Sequence, residues 1–103
     1  MARQLAAPLA EKEVYFWGCG AAYKEYRHFF AATRPQCILL DLPGAPQSVD
    51  GIPVKNPAQL GASAKRLPVV VFARTEYYGK IKKKLCGEYS ALVEGEPVWV
   101  LHD

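Results

Sequence analysis

Four short segments of the chain are apolar along their whole length, and this feature limits the fold more than any other. They occupy residues 14–17, 37–40, 68–72 and 97–101, and segments of helical pattern or turn composition separate them. A strand with one face in water alternates apolar and polar side chains, whereas a continuous apolar run is typical of a strand buried on both faces. The succession of apolar strands and intervening helical segments predicts an α/β fold. It is expected to be a three-layer sandwich in which helices cover both faces of a four-stranded parallel sheet.

The segments between the predicted strands are helical or irregular. After Gly20, residues 21–33 place apolar side chains at helical spacing, and the Arg34-Pro35 pair ends this amphipathic helix. Residues 42–52 are rich in Pro, Gly, Ser and Asp, which predicts a long irregular stretch.

Two shorter helices are expected further along the chain. Asn56 is a good N-cap before a proline at the first helical position, Pro57, and this pair predicts a helix of one or two turns. Thr75 is expected to cap a helix over about residues 76–85, which Gly87 then ends.

Length and composition limit the class of protein. A chain of 103 residues that is 50% hydrophobic is predicted to form one domain over residues 1–103, with residues 1–12 as a flexible N-terminal segment. The N-terminal residues lack the pattern of a secretory signal, and no apolar run is long enough to span a bilayer. Three widely spaced cysteines predict reduced thiols. We therefore expect a cytoplasmic protein with no membrane partner.

The charge balance does not point to nucleic acid. The formal net charge is only +3, and no nucleic-acid-binding motif is present. Four lysines lie close together in the predicted helix over 76–85, but its apolar stripe of Ile81 and Leu85 should leave them spread over the solvated face. They are Lys80, Lys82, Lys83 and Lys84.

The polar residues at the ends of the predicted strands are the candidate site. Ligands of open α/β sheets bind outside the carboxyl ends of the strands, where the strand order reverses. The predicted strands end there in Gly18-Cys19-Gly20, Asp41 and Arg74, whereas their interiors hold almost no polar group. Polar residues also occur at strand ends because these ends meet solvent, so the segregation favours a site without establishing one.

The glycine turn matches the first two glycines of the dinucleotide fingerprint G-x-G-x-x-G. Glycine lets the backbone approach a phosphate, which the N–H groups of the next helix then stabilise. The third glycine position holds Tyr23, whose bulk is expected to spread the helix from the strand or to displace a diphosphate. An acidic residue about twenty residues past the glycines usually accepts a ribose hydroxyl. The predicted binding residues are Gly18, Cys19, Gly20, Ala21, Asp41 and Arg74, with no catalytic residue and no metal ligand.

Two of these residues have competing interpretations. Arg74 is a bidentate donor to a phosphate or carboxylate, or else a solvated side chain or an ion-pair partner of Asp41. A thiolate at Cys19 would be favoured by a helix N-terminus, but no partner base is identifiable. A small structural residue between two glycines accounts for Cys19 better.

The order of these features resembles a small Rossmann-like domain of bacterial polysaccharide metabolism. That domain occurs at the N-terminus of sugar O-acyltransferases and within nucleotide-sugar dehydratases and epimerases. The strand and turn VYFWGCG, the aromatic helix, the strand ending at Asp41 and the segment VDGIPV followed by Leu60 carry the resemblance, which covers about residues 13–86. The resemblance implies a nucleotide or nucleotide-sugar held by residues 18–21 and Asp41. Tyr23 and Leu42, which replace the third glycine and a second acidic residue, depart from the pattern.

Three functional hypotheses follow. The first is a stand-alone binding module for a nucleotide or nucleotide-sugar, with NAD as a further candidate, which serves a separate enzyme of sugar or polysaccharide metabolism. The second is a degenerate Rossmann-like domain that has lost its ligand and acts in protein association. The third is a thiol enzyme built on Cys19. The catalytic machinery of the enzymes that this chain resembles lies outside the matched part, so we expect no catalytic activity in the chain alone. We expect a homodimer through the C-terminal strand, which is apolar and lies at a sheet edge.

Overall fold

Six strands form one mixed sheet in the computed structural model, which describes residues 7–60 and 64–102. They are β1 (Glu13–Trp17), β2 (Arg34–Leu39), β3 (Ser48–Val49), β4 (Ile52–Lys55), β5 (Val69–Arg74) and β6 (Val98–His102). Their order across the sheet is β3-β4-β2-β1-β5-β6. The β3–β4 pair is antiparallel, and every other neighbouring pair is parallel. The four strands expected from the sequence are present, but the prediction of a purely parallel four-stranded sheet was wrong.

The two additional strands form a hairpin that begins within the stretch predicted to be irregular, residues 42–52, and continues to Lys55. Val49 pairs with Ile52, so Asp50 and Gly51 alone make the turn, with φ angles of 53° and 77°. Positive φ at both central residues defines a type I′ turn, which Asp-Gly favours because it joins two strands without splaying them. The turn-forming composition of this stretch led to the prediction of irregular structure, because the strands of the hairpin are too short to show a strand pattern.

Two α-helices are present in the described part of the chain, and each is continuous with a 3-10 turn. They are α1 (Ala21–Tyr26), followed by the turn Arg27–Phe30, and α2 (Tyr78–Cys86), preceded by the turn Thr75–Tyr77. Helical structure already includes Thr75, so the prediction that this residue caps the helix was wrong. Gly87 ends α2 as expected, and its N–H donates to the Lys84 carbonyl at 3.3 Å. Neither helix has the length and apolar character needed to cross a bilayer.

Three further 3-10 turns lie in loops of the described chain, and the last of them spans Ser90–Leu92. One spans Pro57–Gln59, where the side chain of Asn56 accepts a hydrogen bond from the N–H of Ala58 at 2.9 Å, which confirms the predicted N-cap. Another spans Ala7–Leu9, whose leucine is buried in the core although it falls within the predicted flexible segment. Residues 1–6 of that segment lie outside the described residues.

Apolar side chains from alternate strand positions form one cluster on each face of the sheet. From β1, Val14 and Phe16 pack on the face covered by α1, and Tyr15 and Trp17 pack on the face covered by α2. β5 divides in the same way between the two clusters. A strand that supplies both clusters has no polar position, which explains the continuous apolar runs in the sequence.

Candidate functional site

The carboxyl ends of β1, β2 and β5 open onto a cleft of about 650 Å³. The chain runs from β1 to β2 and β4 on one side of β1, and later returns to the other side as β5. The strand order therefore reverses between β1 and β5, and ligands of open α/β sheets bind at such a point. The volume also lies in the range of small-molecule sites.

The cleft brings together all six residues that the sequence predicts as binding residues. They come from three separate segments of the chain: Gly18, Cys19, Gly20 and Ala21 after β1, Asp41 after β2, and Arg74 at the end of β5. The structure therefore places these six residues on one surface. That they bind a ligand stays a prediction.

The two glycines of the turn have different structural surroundings. Gly18 has a φ of +89°, and a Cβ atom there would lie 2.4 Å from the carbonyl oxygen of Phe72 on β5. Glycine is therefore required at position 18 for the fold itself. A Cβ atom on Gly20 would meet no atom within 4 Å, although this residue faces the cleft. Gly20 is also the residue that precedes the first helix as its N-cap, where glycine is favoured over alanine. The open space beside it would in addition admit the close approach of a ligand.

Tyr23, which stands at the third glycine position, leaves the cleft open. Its ring is buried on the α1 face of the sheet, in edge-on contact with Phe16 and Phe72 at centroid distances of 6.2 and 5.5 Å. The phenol donates a hydrogen bond of 2.8 Å to the carboxylate of Asp50. Burial raises the pKa of this phenol, so it stays protonated as a donor. The ring therefore does not fill the cleft beside the glycine turn, where its bulk was expected to displace a ligand.

Asp41 is paired with a lysine of α2. The ammonium of Lys84 lies 2.6 Å from Oδ2 of Asp41, and the two side chains are only 34% and 16% exposed. The alternative pair of Asp41 with Arg74 is not formed. Arg74 instead lies 3.2 Å from Glu76, and both of these side chains are more than half exposed. An exposed pair of this kind contributes about 0–1 kcal/mol and leaves the guanidinium accessible.

Two of the lysines expected on the solvated face of the helix line the cleft. Lys80 and Lys84 face it together with Arg74, and Asp41 is the one carboxylate in its lining. Lys80 is exposed, as expected, although it also borders the cleft. Lys84 is half-buried and paired with Asp41, so the expectation of a solvated side chain was wrong for Lys84. The sequence signal was the spacing of four residues between the two lysines, which places both on one side of a helix.

The rest of the cleft surface is mainly apolar. Trp17, Phe72 and Ile81 are buried beneath it. At its rim lie Leu42 and Tyr77, which are the exposed large hydrophobic residues of the described chain, at 61% and 46%. An apolar surface beside a group of cations suits a ligand that has both a flat, weakly polar portion and an anionic portion.

The cysteines take no part in an evident reactive group. All three are free of disulfides, and only Cys19, which is half-buried, reaches the cleft. Burial raises the pKa of the Cys37 thiol, which favours the unreactive protonated form. Over residues 7–60 and 64–102, no group of three or more His, Cys, Asp or Glu side chains is placed to hold a metal ion.

A second, smaller cavity of about 370 Å³ contains none of the predicted site residues. It lies between the Pro57–Gln59 turn and a segment that includes Tyr89 and Leu92, and Glu88 is the charged residue in its lining. It offers neither the cations nor the strand ends that distinguish the larger cleft.

Comparisons of the chain with protein-family models, with curated proteins and with solved structures found no match. The resemblance to a Rossmann-like domain of polysaccharide metabolism therefore stays a prediction.

Proposed function

We propose that this domain is a binding module for a nucleotide or a nucleotide-sugar, held in the cleft at the carboxyl edge of the sheet. The observation that carries the proposal is the convergence of the glycine turn, Asp41 and Arg74 on one cleft at the reversal of strand order. Counted in chain order, the five parallel strands are arranged 3-2-1-4-5. This is the order of the first five strands in the dinucleotide-binding α/β sheet, which supports a Rossmann-like three-layer arrangement.

Each part of the cleft suits one part of such a ligand. The open space at Gly20 admits the ligand next to the backbone, and the carboxylate of Asp41 is an acceptor for a sugar hydroxyl. The apolar surface near Trp17 and Tyr77 suits a base. The lining residues include no nucleophile–base pair, and the proposal is therefore binding rather than catalysis.

Replacement of Gly20 tests this proposal at a position where an added Cβ atom would meet no atom of the protein. We expect UDP-glucose, NAD or ADP to raise the free energy of unfolding of the wild-type protein, by about 2.7 kcal/mol at one hundred times the dissociation constant. Gly20→Ala should weaken binding about tenfold or more, since a methyl group that collides with a ligand costs about 1–3 kcal/mol. Calorimetric titration measures the affinity, and chemical unfolding verifies that the variant is folded.

Gly79→Ala is the matched control for this experiment. A Cβ atom at Gly79 also meets no atom within 4 Å, but this residue lies on α2 outside the cleft. It should leave the affinity unchanged. If no nucleotide, nucleotide-sugar or dinucleotide changes the unfolding of the wild-type protein, the binding proposal is wrong.

The second candidate function is protein association without a ligand. The exposed Leu42 and Tyr77 at the cleft rim favour it, as does the position of β6 at an edge of the sheet. This hypothesis expects a dimer whose dissociation constant rises in Leu42→Ser. Sedimentation equilibrium of the two proteins, with and without the nucleotides above, distinguishes it from the binding module.

A further inference from the structure

We infer that the α2 side of the cleft is an anion subsite, in which Arg74, Lys80 and Lys84 hold the diphosphate group of the ligand. The inference rests on the proposed function and specifies its ligand as a nucleoside diphosphate or a diphosphate-linked conjugate. It also moves the phosphates away from the glycine turn, where the fingerprint motif would place them.

The first turn of α1 is a poor place for a polyanion. Peptide dipoles add along a helix, and α1 has only six residues before it tightens into the 3-10 turn Arg27–Phe30. No side chain caps its start. The glycine turn therefore offers close backbone approach but little positive charge.

The cations lie on the opposite side of the cleft. Lys80 and Lys84 are one helical turn apart on α2, so their Cβ atoms are separated by about 5–6 Å and their side chains share a face. Arg74 ends β5 just before the turn that leads into this helix. All three line the cleft, which accordingly carries a formal charge of +2 out of a net +3 for the whole chain.

Two of these cations are available to a ligand as the structure stands. Within the described part of the chain, no carboxylate lies within ion-pair distance of the Lys80 ammonium. Arg74 is held only by the exposed pair with Glu76, which an incoming phosphate can replace at little cost. Charge-assisted hydrogen bonds from these groups to phosphate oxygens are about twice as strong as neutral ones.

Lys84 joins this subsite to the carboxylate of Asp41. The pair fixes the ammonium at the cleft wall, with Oδ2 of Asp41 on one side of it. The Asp41 carboxylate repels an anion, which leaves the other side of the Lys84 ammonium for a phosphate oxygen. The hydroxyl acceptor and the anion subsite are therefore neighbours. Three cations from two elements that line one cleft favour a ligand with more than one phosphate group, and a diphosphate is the smallest such group.

A comparison of two lysine variants tests the inference. Titration of the wild-type protein should give tighter binding of pyrophosphate than of phosphate, and of ADP than of AMP. Lys80→Gln should lower the affinity for pyrophosphate and for ADP about tenfold, which is the usual effect of losing one hydrogen bond to a charged group. Lys83→Gln removes the same charge from the same helix, but Lys83 is exposed and outside the cleft. It should change the affinity less than about twofold.

The glycine variant separates this inference from the proposed function. Gly20→Ala should lower the affinity for ADP, because the nucleoside of ADP lies next to the glycine turn. It should leave the affinity for pyrophosphate unchanged. If Gly20→Ala lowers the affinity for pyrophosphate and Lys80→Gln does not, the phosphates lie on the glycine turn. The α2 subsite is then overturned, while nucleotide binding stands.

The remaining outcomes are also decisive. Equal losses in Lys80→Gln and Lys83→Gln would mean diffuse electrostatic attraction and no subsite. Nucleotides that bind without any preference for a diphosphate would overturn the subsite alone. If neither pyrophosphate nor any nucleotide binds, both proposals fail. Amide NMR shifts on adding pyrophosphate should fall on residues 74–84, and shifts confined to residues 18–22 would contradict the inference.

Discussion

Gly18 and Gly20 are one residue apart in the sequence, and nothing in the sequence distinguishes their roles. In the structure, Gly18 lets the end of β1 approach the backbone of β5, and Gly20 borders open space in the cleft. A glycine pair in a predicted strand-to-helix turn indicates a close approach but not what approaches. Only the position of Phe72 shows that the first approach is internal to the fold.

Gly18→Ala should therefore destabilise the protein by about 3 kcal/mol. A side chain at positive φ costs about 1–2 kcal/mol, and the methyl group must also displace the Phe72 carbonyl oxygen, which cannot move without shifting β5. Gly95→Ala is the control, because Gly95 has a φ of +71° with no atom near its Cβ position. It should cost only about 1 kcal/mol. Urea unfolding measures both, and equal losses would contradict the account of Gly18.

At the scale of elements, the sequence predicted the strands better than it predicted the helices and the hairpin. A strand buried on both faces has an unmistakable pattern, as over Val69, Val70, Val71 and Phe72, because each of these side chains belongs to the core. The strands Ser48–Val49 and Ile52–Lys55 are too short and too exposed to show a period. Their signal was the Asp50-Gly51 turn, which the surrounding prolines obscured.

The hairpin is tied to α1 by the hydrogen bond between Tyr23 and Asp50. Tyr23→Phe removes the donor, and we expect a loss of about 1 kcal/mol in the free energy of unfolding. Asp50→Gly removes the acceptor and keeps a residue that adopts positive φ. In a double-mutant cycle the backbone effect of the glycine cancels, and the coupling energy should be about 1 kcal/mol. A coupling near zero would mean that the bond does not stabilise the hairpin.

At the scale of the whole molecule, the edge of the sheet that bears the cleft follows from the sequence, but the charge of the cleft does not. Parallel strands bring their carboxyl ends together whatever their order, and this places Gly18, Asp41 and Arg74 near one another. The contribution of Lys80 and Lys84 depends on the rotation of α2 about its axis. Ile81 and Leu85 fix that rotation through packing against side chains distant in sequence, such as Trp17.

The burial of tyrosines on both faces of the sheet makes the stability of the fold sensitive to alkali. Burial raises the pKa of the phenols of Tyr15, Tyr23 and Tyr89 and of the Cys37 thiol above their ordinary values. Above about pH 8 the unfolded chain releases the Cys37 proton, and above about pH 9 the tyrosine protons, while the folded chain retains them, so the free energy of unfolding falls. Near pH 7 these groups are protonated in both states, and their contribution is fully present.

In the presence of a reductant, we expect the free energy of unfolding from urea titrations to fall slightly between about pH 8 and 9, as the Cys37 thiol ionises in the unfolded chain. It should fall more steeply from about pH 9 to 11, as the tyrosines ionise there. Tyr15→Phe removes one of the ionisable groups, together with the hydrogen bond of 2.6 Å from its phenol to the Lys65 carbonyl. The variant should be less stable at pH 7 but should lose less stability than the wild-type protein between pH 9 and 11. Parallel curves for the two proteins would show that the Tyr15 phenol ionises as readily in the folded chain as in the unfolded one.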